Sequence, residues 1–332
     1  NMPSKSEIEA YLAKYEVEST LQTAIAELVE EGMPPNPLQV LSAKLAAKAS
    51  EKYSGFTFDA AAKAEVFGKV FDVGEPMWVK LHELVAVEAP APSMILSVGD
   101  GPGEPGCYLA AKYGCKTITS DAVPPMVGLA KKRVEAKGLG DKVECMLLDM
   151  QDLSGVESGS CDLVSSAHAY PFAPDQPKAL AEALRVLKPG GVFGAVVWKS
   201  FELLPLAGAL MGAVTGTAPA PPPAGAPPPP PLAWASPEVT DKLLTDAGFE
   251  LKAGSEDEVI FELSDMEVAM KYSALPIWDK IQKLQDDGTV PDAWKKFEAA
   301  WPTVAKEKGH LGDFPGFKIK GMYRTVVAKK PA

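Results

Sequence analysis

The feature that most constrains this chain is a regular alternation of short apolar runs and amphipathic segments between residues 93 and 198. Met94–Val98 is an apolar β run ending at Gly99, Cys107–Tyr113 reads as helix, Thr117–Thr119 as strand and Pro124–Lys137 as helix. Val143–Leu148, Leu163–Ser166, the helix Lys178–Leu187 and the strand Val192–Trp198 continue the series. Strands separated by helical crossovers predict an α/β fold with a doubly wound, Rossmann-like parallel sheet. Such sheets bind ligands beyond the carboxyl ends of their strands, where strand order reverses. Residues that directly follow strands are therefore the candidates for chemistry.

On the amino-terminal side, Ile8, Tyr11, Leu12, Tyr15, Leu21, Ile25 and Leu28 recur at helical spacing. Pro34, Pro35 and Pro37 stop that helix, and Leu38, Leu41, Leu45 and Ala46 begin another. Two short helices cannot bury both stripes alone. Residues 1–52 are thus expected to form a helical module separate from 53–332, with residues 7–52 pairing with a second copy of the chain in a homodimer. The pattern resembles the docking-and-dimerisation helices of protein kinase A regulatory subunits; a helical cap on the remaining domain fits the same stripes. On the carboxyl side, the Ala/Pro-rich stretch 218–231 reads as a polyproline-type connector. A helix at Pro237–Ala247 and strands at Val259–Leu263 and Met322–Ala328 follow, and the aromatic-rich segment 265–301 should form a helical cover over the top edge of the sheet.

A formal net charge of -11 over 332 residues argues against a nucleic-acid partner, which needs clustered Lys and Arg. The longest basic run, Lys131-Lys132-Arg133, reads as a solvated helix face. No window approaches the roughly eighteen apolar residues that cross a bilayer, and Ser4, Lys5, Glu7 and Glu9 do not suit a signal peptide. The expectation is a cytoplasmic protein without a membrane partner. Cys107, Cys115, Cys145 and Cys161 lack metal-binding spacing, so packing is their expected role and no metal site is predicted.

After the first strand comes Ser97-Val98-Gly99-Asp100-Gly101-Pro102-Gly103. Glycines at alternate positions let the backbone turn tightly and approach a ligand, as a nucleotide-like cofactor requires. The dinucleotide fingerprint would place its third glycine at 104, where this chain has Glu104, a residue that would repel a pyrophosphate if it faced the turn. S-adenosylmethionine carries no phosphate and suits the turn better. Asp121, about 20 residues on, can accept both ribose hydroxyls. Asp149 and Met150, after the third strand, offer an acceptor for an adenine amino group beside an apolar surface for its ring.

Residues 94–198 resemble the class I methyltransferase core. The resemblance rests on Ile95-Leu96-Ser97-Val98-Gly99-Asp100-Gly101-Pro102-Gly103, on Asp121-Ala122-Val123-Pro124-Pro125-Met126, on Asp149-Met150-Gln151-Asp152-Leu153 and on Glu182-Ala183-Leu184-Arg185-Val186-Leu187-Lys188-Pro189-Gly190-Gly191. The last stretch is similar to the small-molecule branch that includes ubiquinone and menaquinone methyltransferases. The resemblance implies methyl transfer from S-adenosylmethionine to a small, partly apolar organic acceptor. It places Gly99, Gly101 and Gly103 around the methionine part, Asp121 at the ribose, and Asp149 with Met150 at the adenine, and it adds Ala122, Met126, Gln151 and Ser166 as further cofactor-binding candidates. Ser97 departs from the family, which has an acidic residue two places before the first glycine for the cofactor's ammonium; Asp100 is the candidate to compensate. His168 is the candidate proton acceptor, because it alone of three histidines directly follows a sheet strand, and Tyr170 is the second. His168, Ala169 and Tyr170, Trp198 to Leu206, and the cover around Tyr272 and Trp278 are expected to line the acceptor pocket. Two other readings are a catalytically silent dimeric scaffold on the same fold and an NAD(P)-dependent oxidoreductase.

Overall fold

The computed structural model describes residues 61–217, 226–312 and 316–332, together with 21–22 and 25–26. Apart from those last four residues, the expected helical module at 1–52 lies outside the described residues, as does most of the connector at 218–231. Seven strands form one sheet: β1 Met94–Val98, β2 Lys116–Asp121, β3 Val143–Leu147, β4 Cys161–Ala167, β5 Leu187–Phe201, β6 Glu250–Leu263 and β7 Phe317–Lys329. Their spatial order is β3-β2-β1-β4-β5-β7-β6. The first five are mutually parallel, and order reverses between β1 and β4, which puts the ligand crevice above those two strands.

The helices are α1 Ala61–Val70, α2 Glu75–Glu88, α3 Gly106–Tyr113, α4 Pro124–Ala136, α5 Gln176–Val186, α6 Leu203–Thr215, α7 Pro237–Asp246, α8 Met266–Ala274, α9 Trp278–Asp286 and α10 Ala293–Glu307. Their ends follow local chemistry. Two prolines open α4, Gly114 closes α3 at a left-handed φ of 66°, and the carboxylates of Asp175 and Asp265 cap α5 and α8.

The sheet is mixed rather than wholly parallel, because β7 runs antiparallel to both β5 and β6. After β6 the chain crosses above the sheet through α8 to α10, with no crossover returning it to the lower edge. It must therefore descend in the reverse direction. β6 is also longer than the apolar run Val259–Leu263 predicts. Its first half, with Glu250, Lys252, Glu256, Asp257 and Glu258, is largely exposed and lies at the sheet edge, where ion pairs to Lys199 and Lys320 hold it and charge discourages further strand pairing.

One face of the sheet is covered by α2, whose Leu81 and Val85 are fully buried, while α6, with Leu206 and Leu210 fully buried, packs on α8 and α10. The other face packs on α5 and α7 through Leu180, Ala183 and Leu244. Burial of this extent, at about 25 cal/mol per Å² of apolar surface, makes the sheet a rigid platform for the loops above it. Among the described residues no helix is long and apolar enough to cross a membrane.

Candidate active site

The turn after β1 holds Gly99, Gly101 and Gly103 at φ of 69°, 53° and 104°, a region costly for residues with a Cβ. A Cβ on Gly99 would lie 2.2 Å from that of Ala169, so this glycine lets the loop after β4 close on the turn. Gly101 is different. The atoms nearest to a Cβ there are side chains of Phe67, Phe71 and Met126, at 3.5 to 3.9 Å, which face a cavity.

Below the turn, Asp100 is buried and its carboxylate is consumed internally. Oδ1 accepts from Ser97 Oγ at 2.6 Å, and Oδ2 accepts from the Gly106 amide at 3.0 Å and from Thr119 Oγ1. Burial raises its pKa to about 7 against the lowering effect of those bonds. Ser97 and Asp100 thus brace the turn from beneath, and neither lines the cavity. Glu104 also turns away from it: Oε1 lies 2.6 Å from Lys137 Nζ and 3.3 Å from Arg133, while Oε2 accepts from the Tyr108 amide. Arg133 of α4 and Lys137 just beyond it satisfy this carboxylate, so its charge does not face a ligand at the turn. Arg133 is likewise not a solvated residue, because it bridges buried Glu104 and Asp72.

Asp121, at the end of β2, does reach the cavity. Its carboxylate accepts from the amides of Gly101 and Val123, both at 2.9 Å, which fixes its orientation. Burial raises its pKa to about 6, opposed by these backbone bonds. Ala122 and Met126 continue this wall, and Met150 supplies an apolar surface beyond β3. Asp149, Gln151 and Ser166 lie behind the wall. Asp149 accepts from the Gln151 amide at 2.9 Å, Gln151 accepts from the Asp175 amide, and Ser166 donates to the Val98 carbonyl.

His168 follows β4 and lines the cavity at an unusual φ of 64°. Its ring stacks on Trp198 at 4.1 Å between centroids with 10° between planes. Nε2 sits 3.4 Å from Met77 Sδ, and Nδ1 is sealed and without a partner. With no charge to favour the imidazolium, burial lowers the pKa to about 3. Tyr170 is not at the cavity. The 3-10 turn at Tyr170–Phe172 points it into the opposite core, against Phe193 and Trp234, where burial pushes its pKa up. That corrects its expected place in the pocket, which Phe172 takes instead. Trp278 is also displaced: it packs edge-on against Trp294 at 4.7 Å, whereas Tyr272 lines the cavity as expected.

About a quarter of the wall comes from a segment to which the sequence assigned no role. Phe67, Val70, Phe71, Gly74, Met77 and Trp78, from α1, α2 and the 3-10 turn between them, close the cavity from above. The lid is pinned on two sides. Buried Lys63 donates to both oxygens of Asp279 on α9, at 2.8 and 3.0 Å, and Asp72 pairs with Arg133 on α4. The apolar spacing Val66, Phe67, Val70, Phe71 was the available signal.

A sheet of this order, with a glycine turn after its first strand, an oriented carboxylate after its second and an apolar cavity above the switch point, defines a Rossmann-like enzyme that holds a nucleoside cofactor. Residues 96–195 match the family model described as a methyltransferase domain. The chain is 29% identical to demethylmenaquinone methyltransferase of Thermus thermophilus over 178 residues, 49% of this chain and 76% of that protein. It is 32% identical to methyltransferase GfsG of Streptomyces halstedii over 120 residues, which span 36% of this chain and only 42% of that protein. With methyltransferase tpcH of Aspergillus fumigatus, identity is 29% over 66% of this chain and 76% of the relative. Residues 96–195 thus carry a methyltransferase domain, and the methyltransferases that the chain resembles imply S-adenosylmethionine as the cofactor. Neither the silent-scaffold nor the oxidoreductase alternative is favoured.

The residues present suit that cofactor. Gly101 leaves space where any side chain would intrude, Asp121 brings a carboxylate to the cavity wall, and Met126 and Met150 line that wall with apolar surface. The departure at Ser97 stands, because its hydroxyl is spent on Asp100.

Proposed function

We propose that this chain transfers the methyl group of S-adenosylmethionine to a small, apolar organic acceptor held between the lid and the ends of β4, β5 and β6. One observation carries the proposal: a single cavity runs from Gly101 and Asp121 to a wall of Trp198, Phe201, Phe261 and Tyr272. Gly99, Gly101 and Asp121 are the residues assigned to the cofactor, with Asp121 accepting from the ribose hydroxyls. Bound there, the cofactor supplies an electrophilic methyl group on a sulfonium. The chain's own contribution is to position the acceptor in line and to exclude water, which can supply much of the rate enhancement. Phe67, Phe71, Met77 and Trp78 shield the site from above. His168 acts in this reading as part of the wall, since an imidazole whose pKa is about 3 takes no proton at neutral pH.

One relative is by name a demethylmenaquinone methyltransferase, and an acceptor of that kind suits this lining. Incubation with methyl-labelled S-adenosylmethionine and a panel of quinol, phenol and isoprenoid acceptors tests the proposal. Label transfer to an apolar member is expected, and transfer only to charged or macromolecular acceptors would contradict it. Pairing of two chains through residues 7–52 belongs to the same reading, with a dimer mass expected in light scattering of the full chain and a monomer mass refuting it. A cytoplasmic location is also part of the proposal, to be checked by cell fractionation.

A further inference from the structure

Trp198 and Phe201 are three residues apart on β5. In an unbroken strand side chains alternate, so these two would point to opposite faces. The register prevents this: Trp198 pairs with Tyr323 and Ser200 with Met322, leaving Lys199 as an extra residue in a bulge. The bulge resets the alternation, a use of bulges common beside active sites. Both rings now face the cavity and stack at 4.4 Å with 2° between planes. His168 covers the other face of the indole, so the three rings form a column. The Lys199 ammonium, which the bulge could have turned inward, instead pairs with Glu256 on β6.

The column needs space behind it, and Gly321 of β7 supplies it. A Cβ at Gly321 would lie 2.4 Å from Cζ3 of Trp198 and 3.1 Å from two further indole atoms. Gly321 is not among the residues with positive φ. Room for the indole, rather than backbone conformation, is therefore what requires glycine here.

Resting on the methyltransferase reading above, we propose that this ring column selects a planar, uncharged ring system as the methyl acceptor, with Trp198 as the specificity-determining residue and Gly321 as the residue that sets its depth. Aromatic rings pack best edge-to-face or offset against other rings, with a preference of about 0.5–1.5 kcal/mol beyond buried area. The facing wall is also made of rings, since Phe261 stacks on Tyr272 at 6.2 Å and lies 6.1 Å from Trp198. Among the described lining residues Asp121 is the sole carboxylate, and the cofactor's ribose engages it. A charged acceptor would be buried without a counter-ion, at high cost.

The test uses the full chain saturated with S-adenosylhomocysteine, and 2-naphthol against its saturated, non-planar analogue decahydro-2-naphthol, by calorimetry. 2-Naphthol is expected to bind at least roughly tenfold more tightly, the scale on which an apolar pocket separates shapes. Gly321→Ala should weaken 2-naphthol by a similar factor while leaving S-adenosylhomocysteine affinity within about twofold, as expected of separate sites. Trp198→Leu should abolish the preference between the two probes. Equal binding of the probes by the wild type, failure of both to bind, or a Gly321→Ala protein that holds both ligands unchanged would overturn the proposal. If Gly321→Ala does not fold, the wild-type preference and its loss in Trp198→Leu still decide. Loss of S-adenosylhomocysteine binding by the wild type would instead overturn the parent reading, and the two probes can be compared without it.

Discussion

The two halves of the cavity are built in opposite ways. The half proposed for the cofactor draws on a short stretch of sequence, running from Gly99 through Asp121 to Met126 and adding Met150. Its shape is set by backbone: three glycines at positive φ, and a carboxylate oriented by two amides. The half proposed for the acceptor gathers residues from 67–78, 168–172, 198–204 and 261–272. Its shape is set by packing, through a bulge, a glycine on a neighbouring strand and a pinned lid. Chemistry common to a family can be held by local backbone rules. Selectivity is placed where single substitutions reshape the wall without disturbing the turn.

The largest expected effect that would break this contrast is at Gly101. Gly101→Val meets both a strained φ of 53° and the cavity space, and should lower S-adenosylhomocysteine affinity by more than about a hundredfold, which calorimetry reads. An affinity within a few fold of the wild type would mean that the turn does not hold the cofactor. Asp121→Ala should weaken the same ligand by about 1.5–3 kcal/mol, the scale of hydrogen bonds to a charged group. Acceptor-probe binding should survive it, and parallel loss of both would show that the halves are not separable.

The scaffold shared by both halves carries its own signature. His82, buried in α2, has one ring nitrogen on Ser165 Oγ at 3.0 Å, and burial lowers its pKa to about 3. Below its unfolded pKa near 6.5, the unfolded chain takes up a proton that the folded chain refuses. Its contribution to stability is therefore full above pH 6.5 and lost as pH falls toward 3. Between pH 7 and pH 5 this amounts to on the order of 2 kcal/mol. Denaturant titrations of wild type and His82→Gln should show a shallower acid decline in the variant; identical slopes would refute the buried neutral histidine. The smallest expected effect is at His168. His168→Phe keeps a ring in the column, so turnover should fall less than about fivefold with no change in the pH–rate profile near 6.5, whereas a loss of 10² or more would restore it as a base.

Legibility in the sequence follows the same division. β1 was readable to the residue because Met94–Val98 is apolar on both faces and ends in a glycine. The charged first half of β6 was not, because an edge strand needs only one neighbour and can expose polar side chains. Asp100 and Ser97 were placed at the right turn, but spacing does not tell which side of a turn a side chain faces. Tyr170 failed for a similar reason, as a short 3-10 turn reverses direction within three residues. The lid was missed because nothing in its pattern identifies what it covers. The Lys199 bulge and the room at Gly321 depend on β5 meeting β7, more than a hundred positions away in the chain.

One cavity is proposed to hold S-adenosylmethionine at the Gly99–Gly103 turn. Calorimetric titration of the full chain with S-adenosylhomocysteine, and separately with NADH, tests it most directly. One S-adenosylhomocysteine site per chain, lost in Gly101→Val, and no heat from NADH are expected. Binding of NADH in place of S-adenosylhomocysteine, or of neither, would contradict it.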